Sequence, residues 1–240
     1  MTMSAFESRK IKEDFPLLER EVNGKPIVYL DSAATSQKPI EVIDRMTDYY
    51  KQINANVHRG AYQIAELATS EMEETRAKVS RFINASSEKE IVFTKNATEA
   101  INLVAYTWAR SQLTDGDVIL LSSLEHHSNI VPWQQLSSER NIEIRWIPIT
   151  QDGQLDLSCI DELLDNVKLL CVSAVSNALG TINPVKKLTD AAHQVGAICL
   201  VDACQSVPHF ETDVSELGAD FLAFSGHKMC GPTGIGVLWG

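Results

Sequence analysis

The sequence predicts an α/β fold in three layers, in which a mostly parallel sheet of seven strands lies between two layers of helices. Short apolar runs recur along the chain, at residues 91–94, 118–121, 144–149, 169–175, 198–201, 221–224 and 235–239. Unbroken apolar strands are typical of a sheet that is covered on both faces. Helical segments fill most of the gaps, which indicates parallel strands joined by helical crossovers.

The individual helices are predicted from the spacing of their apolar residues. We expect helices over residues 40–51, 65–82, 98–113, 131–140, 157–166 and 185–195. The last strand follows its neighbour after a loop that is too short for a helical crossover. We therefore expect that strand to run antiparallel.

The first sixty residues contain shorter elements. We expect an amphipathic helix over residues 5–20 ending near Pro16, a turn at 23–26, a strand at 27–30, a small-residue loop at 31–36 and a polar loop at 54–60. A loop of small residues lets the backbone come close to a ligand, although a simple connector explains the same residues.

Composition excludes several classes of partner. The 240 residues include 32 acidic and 21 basic side chains, which gives a formal net charge of −11. A surface this acidic repels nucleic-acid phosphates and anionic lipids, so we expect neither nucleic acid nor membrane among the partners. Residues 1–12 lack the apolar core of a signal peptide, and no apolar run approaches the roughly 20 residues that span a bilayer.

The cysteines indicate a reducing compartment. Five of them occur, at positions 159, 171, 199, 204 and 230, with no Cys-x-x-Cys pair and no regular spacing. This pattern is typical of buried, reduced thiols in an intracellular protein. We therefore expect a cytoplasmic protein without a metal site.

Polar groups follow five of the predicted strands at the point where each strand ends. They lie at residues 96–100, 125–129, 176–177, 202–205 and 225–228. Each group alone has an ordinary structural explanation, such as a helix cap or a turn. Ligands of open α/β sheets bind outside the carboxyl ends of the strands, so the joint placement of these groups predicts a binding site there.

Lys228 is the residue around which this site is predicted. It follows the apolar run 221–224 in a loop rich in glycine. Burial lowers the pKa of an ammonium group and keeps part of the amine neutral, as the formation of a Schiff base requires. The alternative is an ordinary lysine whose amine reaches into water from the end of a strand.

The neighbouring residues fit a ligand that carries a phosphate, an aldehyde and a ring nitrogen. The helix that opens at Ala97, Thr98 and Glu99 would offer free N–H groups to the phosphate. Ser225 and His227 could complete that phosphate site with a hydroxyl and an imidazole N–H.

Three further side chains match the ring of such a ligand. Asp202 ends an apolar run, where its carboxylate needs a cationic partner, and a protonated ring nitrogen would supply one. Gln205 is close enough in sequence to reach a phenolic oxygen of the ring. His126 could stack on the open face of the ring.

Five motifs stand in the order Ala55-Asn-Val-His-Arg-Gly60, Glu125-His-His-Ser-Asn-Ile-Val-Pro-Trp133, Val175-Ser-Asn-Ala-Leu-Gly180, Asp202-Ala-Cys-Gln205 and Ser225-Gly-His-Lys-Met-Cys-Gly-Pro-Thr-Gly-Ile-Gly-Val-Leu238. Together they resemble the motifs of the group II cysteine desulfurases, the SufS-type enzymes of the fold type I pyridoxal-phosphate class. The likeness runs from about Phe15 to Gly240, and five motifs in the same order are highly specific.

The resemblance implies pyridoxal 5'-phosphate as the cofactor, with Lys228 as the lysine that binds it covalently. On the ring, the resemblance implies Asp202 at the nitrogen, Gln205 at the phenolic oxygen, and His126 stacked on the face as a second catalytic residue.

The remaining implied contacts involve the phosphate and the substrate. The phosphate would be bound by Ala97, Thr98, Ser225 and His227. Asn177 would lie by the cofactor and the substrate carboxylate, and the pocket would be lined by Ala33, Ala34 and His58.

The reaction implied by the resemblance removes sulfur from L-cysteine. The substrate displaces Lys228, and the freed amine takes the α-proton while the electrons spread into the ring. An enzyme thiolate then attacks the substrate sulfur, which leaves a persulfide and releases alanine. The implied partners are an acceptor protein of iron–sulfur cluster assembly and a second copy of the chain in a homodimer.

The segment that resembles the family does not include several of the family's functional residues. The persulfide cysteine, the arginine that clamps the substrate carboxylate and a phosphate contact from the second subunit lie beyond the matched segment, partly in a small carboxyl-terminal domain. We therefore expect that domain to be absent, with residues 1–30 on the small-domain side and 31–240 forming the cofactor-binding large domain. Cys204 and Cys230 replace residues of other types, and Cys204 is expected to be too enclosed to supply the thiol.

Three functions are compatible with the sequence. The favoured one is the cofactor-binding part of a cysteine desulfurase. The second is a selenocysteine lyase or another class V aminotransferase-like enzyme, because the shared motifs bind the cofactor and do not choose the substrate. The third is a non-catalytic remnant that binds the cofactor or a sulfur-transfer partner.

Overall fold

A computed structural model describes residues 5–240 of the chain. The α-helices are α1 (Ala5–Glu13), α2 (Ile40–Asp48), α3 (Gln63–Phe82), α4 (Ala97–Val104), α5 (Arg110–Gln112), α6 (Val131–Glu139), α7 (Ile160–Leu163), α8 (Val185–Gln194) and α9 (Val214–Leu217). None of the helices in the described residues combines the length and the apolarity that crossing a lipid bilayer requires.

The strands form one small and one large sheet. They are β1 (Glu21–Val22), β2 (Lys25–Pro26), β3 (Ile91–Thr94), β4 (Val118–Ser122), β5 (Glu143–Ile147), β6 (Val167–Ser173), β7 (Ile198–Asp202), β8 (Phe221–Ser225) and β9 (Gly236–Trp239). The large sheet has seven strands in the order β3-β9-β8-β7-β6-β4-β5. Strands β4 to β8 pair in parallel, whereas β9 is antiparallel to both of its neighbours. The predicted sheet and the antiparallel last strand are confirmed.

The sheet separates two buried apolar layers. Successive side chains of a strand point to opposite faces, and β4 shows the alternation: Val118 and Leu120 belong to one layer, Ile119 and Leu121 to the other. Helices α8 and α9 contribute to the first layer, and α4 and α6 to the second. Covering both faces explains why the strands read as unbroken apolar runs.

Two predicted elements differ in the structure. The predicted strand at 27–30 does not form: Val28 and Leu30 are 76% and 90% exposed, and no strand of the described residues pairs with them. The chain instead makes the small hairpin β1–β2, whose turn residues Asn23 and Gly24 both have positive φ. Of the helix predicted over 157–166, only the single turn α7 forms. Asn166, shortly after this turn, has a left-handed φ of 58°.

Candidate active site

A cavity of about 410 Å³ opens at the carboxyl edge of the large sheet. Among its lining residues are Ala33, Ala34, Ala97, Thr98, His126, Asn177, Asp202, Ser225, His227 and Lys228. These residues come from six separate stretches of the chain, and each of them was predicted from the sequence to take part in one site. A wider groove of about 940 Å³ lies elsewhere and contains none of them.

The amino terminus of α4 faces this cavity and is tied to the end of β8. Asn96 caps the helix, because its side-chain oxygen accepts the N–H of Glu99 at 2.8 Å. The N–H of Ala97 donates to the hydroxyl oxygen of Ser225 at 2.8 Å. Two of the three amides expected to be free are therefore engaged within the protein. The helix end still offers its dipole and Thr98 to an anion.

Gly236 allows this close approach of α4 to the sheet. A Cβ at that position would lie 2.5 Å from both the Cα and the carbonyl carbon of Asn96. Only a residue without a side chain lets β9 pass under the helix terminus. The sequence shows a glycine in a glycine-rich loop, but its packing role depends on the distant segment around Asn96 and could not be predicted.

Asp202 lies at the end of β7, inside the cavity. The residue is 5% exposed, and its carboxylate accepts the N–H of Cys204 at 3.0 Å. Among the described residues no lysine, arginine or histidine lies within ion-pair distance of it. An enclosed carboxylate without a bound cation fits a ligand that brings a positive ring nitrogen.

His126 presents a neutral imidazole to the cavity. Its Nδ1 accepts the N–H of Ser128 at 3.2 Å and lies 2.8 Å from the hydroxyl of the same residue. The ring proton therefore resides on Nε2. Burial, together with the charge of Lys228, lowers the pKa of His126. A neutral, flat ring in this position suits stacking on an aromatic ligand.

Glu125, which sequence reasoning did not assign a role, ties the loop of His126 to the sheet. Its carboxyl accepts hydrogen bonds from the hydroxyls of Ser122 and Ser173, the N–H of Ser173 and the amide of Asn129. Burial raises the pKa of Glu125 to about 7, although these four donors favour the charged form. The carboxyl thus joins the ends of β4 and β6 directly beside the cavity.

Lys228 occupies the last position of a short 3-10 turn after β8 and is partly buried. His227 precedes it, and burial, followed by the charges of Lys228 and Lys38, lowers the pKa of that imidazole. Both side chains line the cavity together with Asp202 and Ser225. The amine predicted to carry the ligand and the carboxylate predicted to balance it therefore share one cavity.

Two predicted site residues lie outside the cavity lining. Gln205 is buried, and its side-chain amide donates at 2.7 Å to the carbonyl of Ala33, which lines the cavity. His58 is exposed and lies 3.3 Å from Glu73 on α3. In the structure, Gln205 therefore contacts the backbone of a residue that lines the cavity, and His58 contacts an acidic side chain of α3.

The cysteines near the site differ in accessibility. Cys204 lines the cavity but is only 7% exposed, and burial raises its thiol pKa well above the ordinary value. The expectation that this thiol is enclosed is confirmed. Cys230 is partly exposed two residues after Lys228, in a left-handed conformation with φ of 64°.

The site fits pyridoxal 5'-phosphate. A helix terminus with Ser225 suits its phosphate, the uncompensated Asp202 suits its ring nitrogen, and the amine of Lys228 suits its aldehyde. These three functional groups are spaced around a single cavity, as a ligand of that size requires.

Comparisons of the sequence with known proteins agree on one family. The family model for class V aminotransferases matches residues 28–240. A probable cysteine desulfurase of Halalkalibacterium halodurans is 52% identical over 234 residues, which cover 97% of this chain and 58% of that protein. A cysteine desulfurase of Dickeya dadantii is 51% identical over 232 residues, covering 96% of this chain and 56% of that one.

Solved structures agree with these sequence matches. An apo cysteine desulfurase from Thermococcus onnurineus superimposes with a TM-score of 0.91 at 42% identity, covering 99% of this chain and 57% of that chain. The cysteine desulfurase CsdA of Escherichia coli gives a TM-score of 0.87 at 37% identity, covering 99% and 58%. The chain therefore spans 56–58% of the length of these four relatives.

Proposed function

Because the chain belongs to the class V aminotransferase family, whose members use pyridoxal 5'-phosphate, we propose that it is the cofactor-binding part of a cysteine desulfurase. The observation that carries the proposal is the single cavity that Lys228, Asp202 and His126 line beside the amino terminus of α4. The names of the relatives supply the substrate, L-cysteine.

Each side chain has a physical task in this proposal. The phosphate would lie at the helix terminus, where the dipole and the hydroxyls of Thr98 and Ser225 favour an anion. His227 would complete this site, and Ala97, whose N–H already donates to Ser225, would line it. Asp202 would balance the charge of a protonated ring nitrogen, and His126 would pack its neutral imidazole against the cofactor ring. Asn177, exposed at the cavity mouth, is placed to contact the substrate carboxylate.

When bound, the cofactor supplies an electron sink that makes the α-proton of an amino acid acidic. Lys228 would accept that proton at its Nζ, because its side chain lines the same cavity. Gln205, whose side-chain amide donates to the carbonyl of Ala33, remains our proposed contact of the phenolic oxygen. His58, which lies 3.3 Å from Glu73, remains a proposed residue of the pocket.

The wider assignments follow from the same family. We propose that a persulfide-forming cysteine, an iron–sulfur acceptor protein and a second copy of the chain belong to the complete system, and that it works in the cytoplasm. Residues 1–30 then belong with the small-domain side and residues 31–240 with the large domain. The raised pKa of Cys204 argues against that thiol as the sulfur acceptor.

The test is reconstitution of the chain with pyridoxal 5'-phosphate. We expect a visible absorption band of lysine-bound cofactor that Lys228→Ala removes and that Lys187→Ala, a change of an exposed lysine on α8, preserves. Exchange of the α-proton of L-cysteine with D2O, followed by NMR, measures the step that needs no enzyme thiol. We expect exchange in the unaltered chain and little formation of alanine and sulfide, since Cys204, which lines the cavity, is enclosed and burial raises the pKa of its thiol.

The outcomes separate the three candidate functions. Exchange at L-cysteine, with desulfuration restored by a thiol-bearing partner segment, supports the desulfurase. Exchange at other amino acids but not at cysteine points to another class V enzyme. A Lys228-dependent band without any exchange indicates a cofactor-binding remnant, and a lysine band that survives Lys228→Ala overturns the assignment of the site.

A further inference from the structure

The loop before α2 binds the backbone of the turn that carries Lys228. The carbonyl oxygen of His227 accepts hydrogen bonds from the N–H of Ser36 at 2.9 Å and its hydroxyl at 3.0 Å, and from the Thr35 hydroxyl and the Lys38 ammonium, both at 3.1 Å. A carbonyl oxygen has two lone pairs, so four donors on one oxygen are an unusual concentration. The peptide bond that leads into Lys228 is therefore held from a segment about 190 residues away in sequence.

Ser36 contacts the turn on both sides of Lys228. Its hydroxyl donates to the carbonyl of His227 and accepts the N–H of Cys230 at 2.8 Å. Cys230 has φ of 64°, a left-handed conformation that residues with a Cβ rarely adopt. One hydroxyl thus stabilises a turn conformation that the backbone alone disfavours.

Lys228 stands between two cavities. It lines the candidate active site and also a second cavity of about 440 Å³, whose wall includes Tyr29, Ser36 and Cys230. A lysine amine sits on a flexible four-carbon stem and has space on either side. The backbone at residues 227–230 sets the direction in which this stem leaves the chain, and so favours one cavity over the other for the amine.

We infer that Ser36 is a positioning residue, whose hydroxyl bridges His227 and Cys230 and so directs the amine of Lys228 into the cofactor cavity rather than the second cavity. This inference rests on the proposed function, because it assigns Lys228 as the cofactor lysine. Ser36 contacts neither the phosphate site at α4 nor Asp202, so its effect should fall on the covalent bond to the cofactor and not on the binding of its phosphate.

The test measures two properties of the chain separately. Covalent incorporation is followed by borohydride reduction with pyridoxal 5'-phosphate and mass spectrometry, and binding of the phosphate end by competition with pyridoxamine 5'-phosphate, which lacks the aldehyde. In Ser36→Ala we expect incorporation to slow about tenfold, the change that loss of the part-buried hydrogen bond with Cys230 produces, since the carbonyl of His227 keeps its three other donors. The affinity for pyridoxamine 5'-phosphate should change less than about threefold.

Matched variants distinguish positioning from general damage. Ser36→Thr keeps a hydroxyl and should restore most of the incorporation rate. Adding Cys230→Gly to Ser36→Ala should restore part of it, because glycine adopts the left-handed conformation without a side-chain penalty, whereas Cys230→Ala should restore none. Ser138→Ala, a change of an exposed serine on α6, should behave as the unaltered chain.

The inference fails if Ser36→Ala incorporates the cofactor at the unaltered rate, or if incorporation and pyridoxamine 5'-phosphate affinity fall together without rescue by Cys230→Gly. If Ser36→Ala does not fold, Ser36→Cys replaces it, since a thiol fills the space but bonds weakly. Failure of the proposed function has a different signature: reduction then labels no Lys228 even in the unaltered chain.

Discussion

The hydroxyl oxygen of Ser225 lies 2.8 Å from the backbone nitrogen of Ala97 and accepts its hydrogen bond. This contact joins the end of β8 to the first residue of α4 across 128 positions of sequence. It brings the helix terminus, where an anion is favoured, to Ser225, which precedes Lys228 by three residues in sequence. The geometry of the site therefore depends on how closely α4 and the sheet approach each other.

Gly236→Ala tests that approach. The added Cβ would lie 2.5 Å from backbone atoms of Asn96, so α4 must shift. We expect the free energy of unfolding to fall by about 1–3 kcal/mol and the affinity for pyridoxal 5'-phosphate to weaken at least about tenfold. Chemical denaturation and equilibrium titration of the cofactor measure the two effects.

The matched control for this change is Gly180→Ala. Gly180 has a positive φ of 73° but open space around its Cβ position, so only backbone strain is introduced. We expect a loss of about 1 kcal/mol in stability with cofactor affinity unchanged. Equal cofactor affinities in the two variants would contradict the packing role of Gly236.

Asp202→Asn tests the partner of the ring nitrogen. An asparagine oxygen can still accept the N–H of Cys204, so we expect thermal stability within about 1 kcal/mol of the unaltered chain. The neutral amide cannot hold a proton on the ring nitrogen. We expect the rate of α-proton exchange of L-cysteine in D2O to fall about a hundredfold or more. A rate within threefold of the unaltered chain would refute this role.

Glu125→Gln tests the buried carboxyl beside His126. In the folded chain its pKa is raised from 4.5 to about 7, so the folded state holds a proton that the unfolded state releases. The stability contributed is fully present below pH 4.5 and is lost as the pH rises through 7, by at most about 1.4 kcal/mol per pH unit. Denaturation curves between pH 4 and 8 should show this slope in the unaltered chain and not in the variant.

The variant should also be less stable at low pH. In one orientation, the side-chain nitrogen of a glutamine would face the N–H of Ser173; in the other, it would face the NH2 group of Asn129. The Asn129 amide cannot turn its oxygen toward the glutamine, because that oxygen accepts the indole N–H of Trp133. A donor then faces a donor, at a cost of about 1–3 kcal/mol. Glu162→Gln on exposed α7 serves as the control, and an identical pH dependence in both variants would disprove the assignment.

Thiol labelling tests the accessibility of the cysteines. Cys159 is exposed and Cys230 partly exposed, whereas burial raises the thiol pKa of Cys171, Cys199 and Cys204. We expect two of the five thiols to react within minutes at pH 8, and the other three only when the chain unfolds. Peptide mapping that finds rapid labelling of Cys204 would reopen its candidacy as the sulfur-accepting thiol.

Local patterns in the sequence were sufficient for the sheet and for most of the cavity. Apolar runs such as 118–121 and 198–201 predicted buried strands, because the residue type at each position of a strand reflects whether that position is buried. Polar residues directly after them, including Asp202 and Lys228, predicted the site because the ends of parallel strands meet at one edge. The predicted strand at 27–30 is wrong because a strand needs a neighbour, and no strand in the described part of the chain pairs with Val28 or Leu30.

Only the tertiary structure decided which distant groups meet. Nothing local in the sequence places the hydroxyl of Ser36 between His227 and Cys230, or Gly236 against Asn96, or the carboxyl of Glu125 beside Ser173. Hydrogen bonds and backbone contacts of this kind depend on the path of the whole chain, because their partners lie 48 to more than 190 residues apart. The residue types of the site were therefore readable from the sequence, whereas the contacts that orient them followed from the fold.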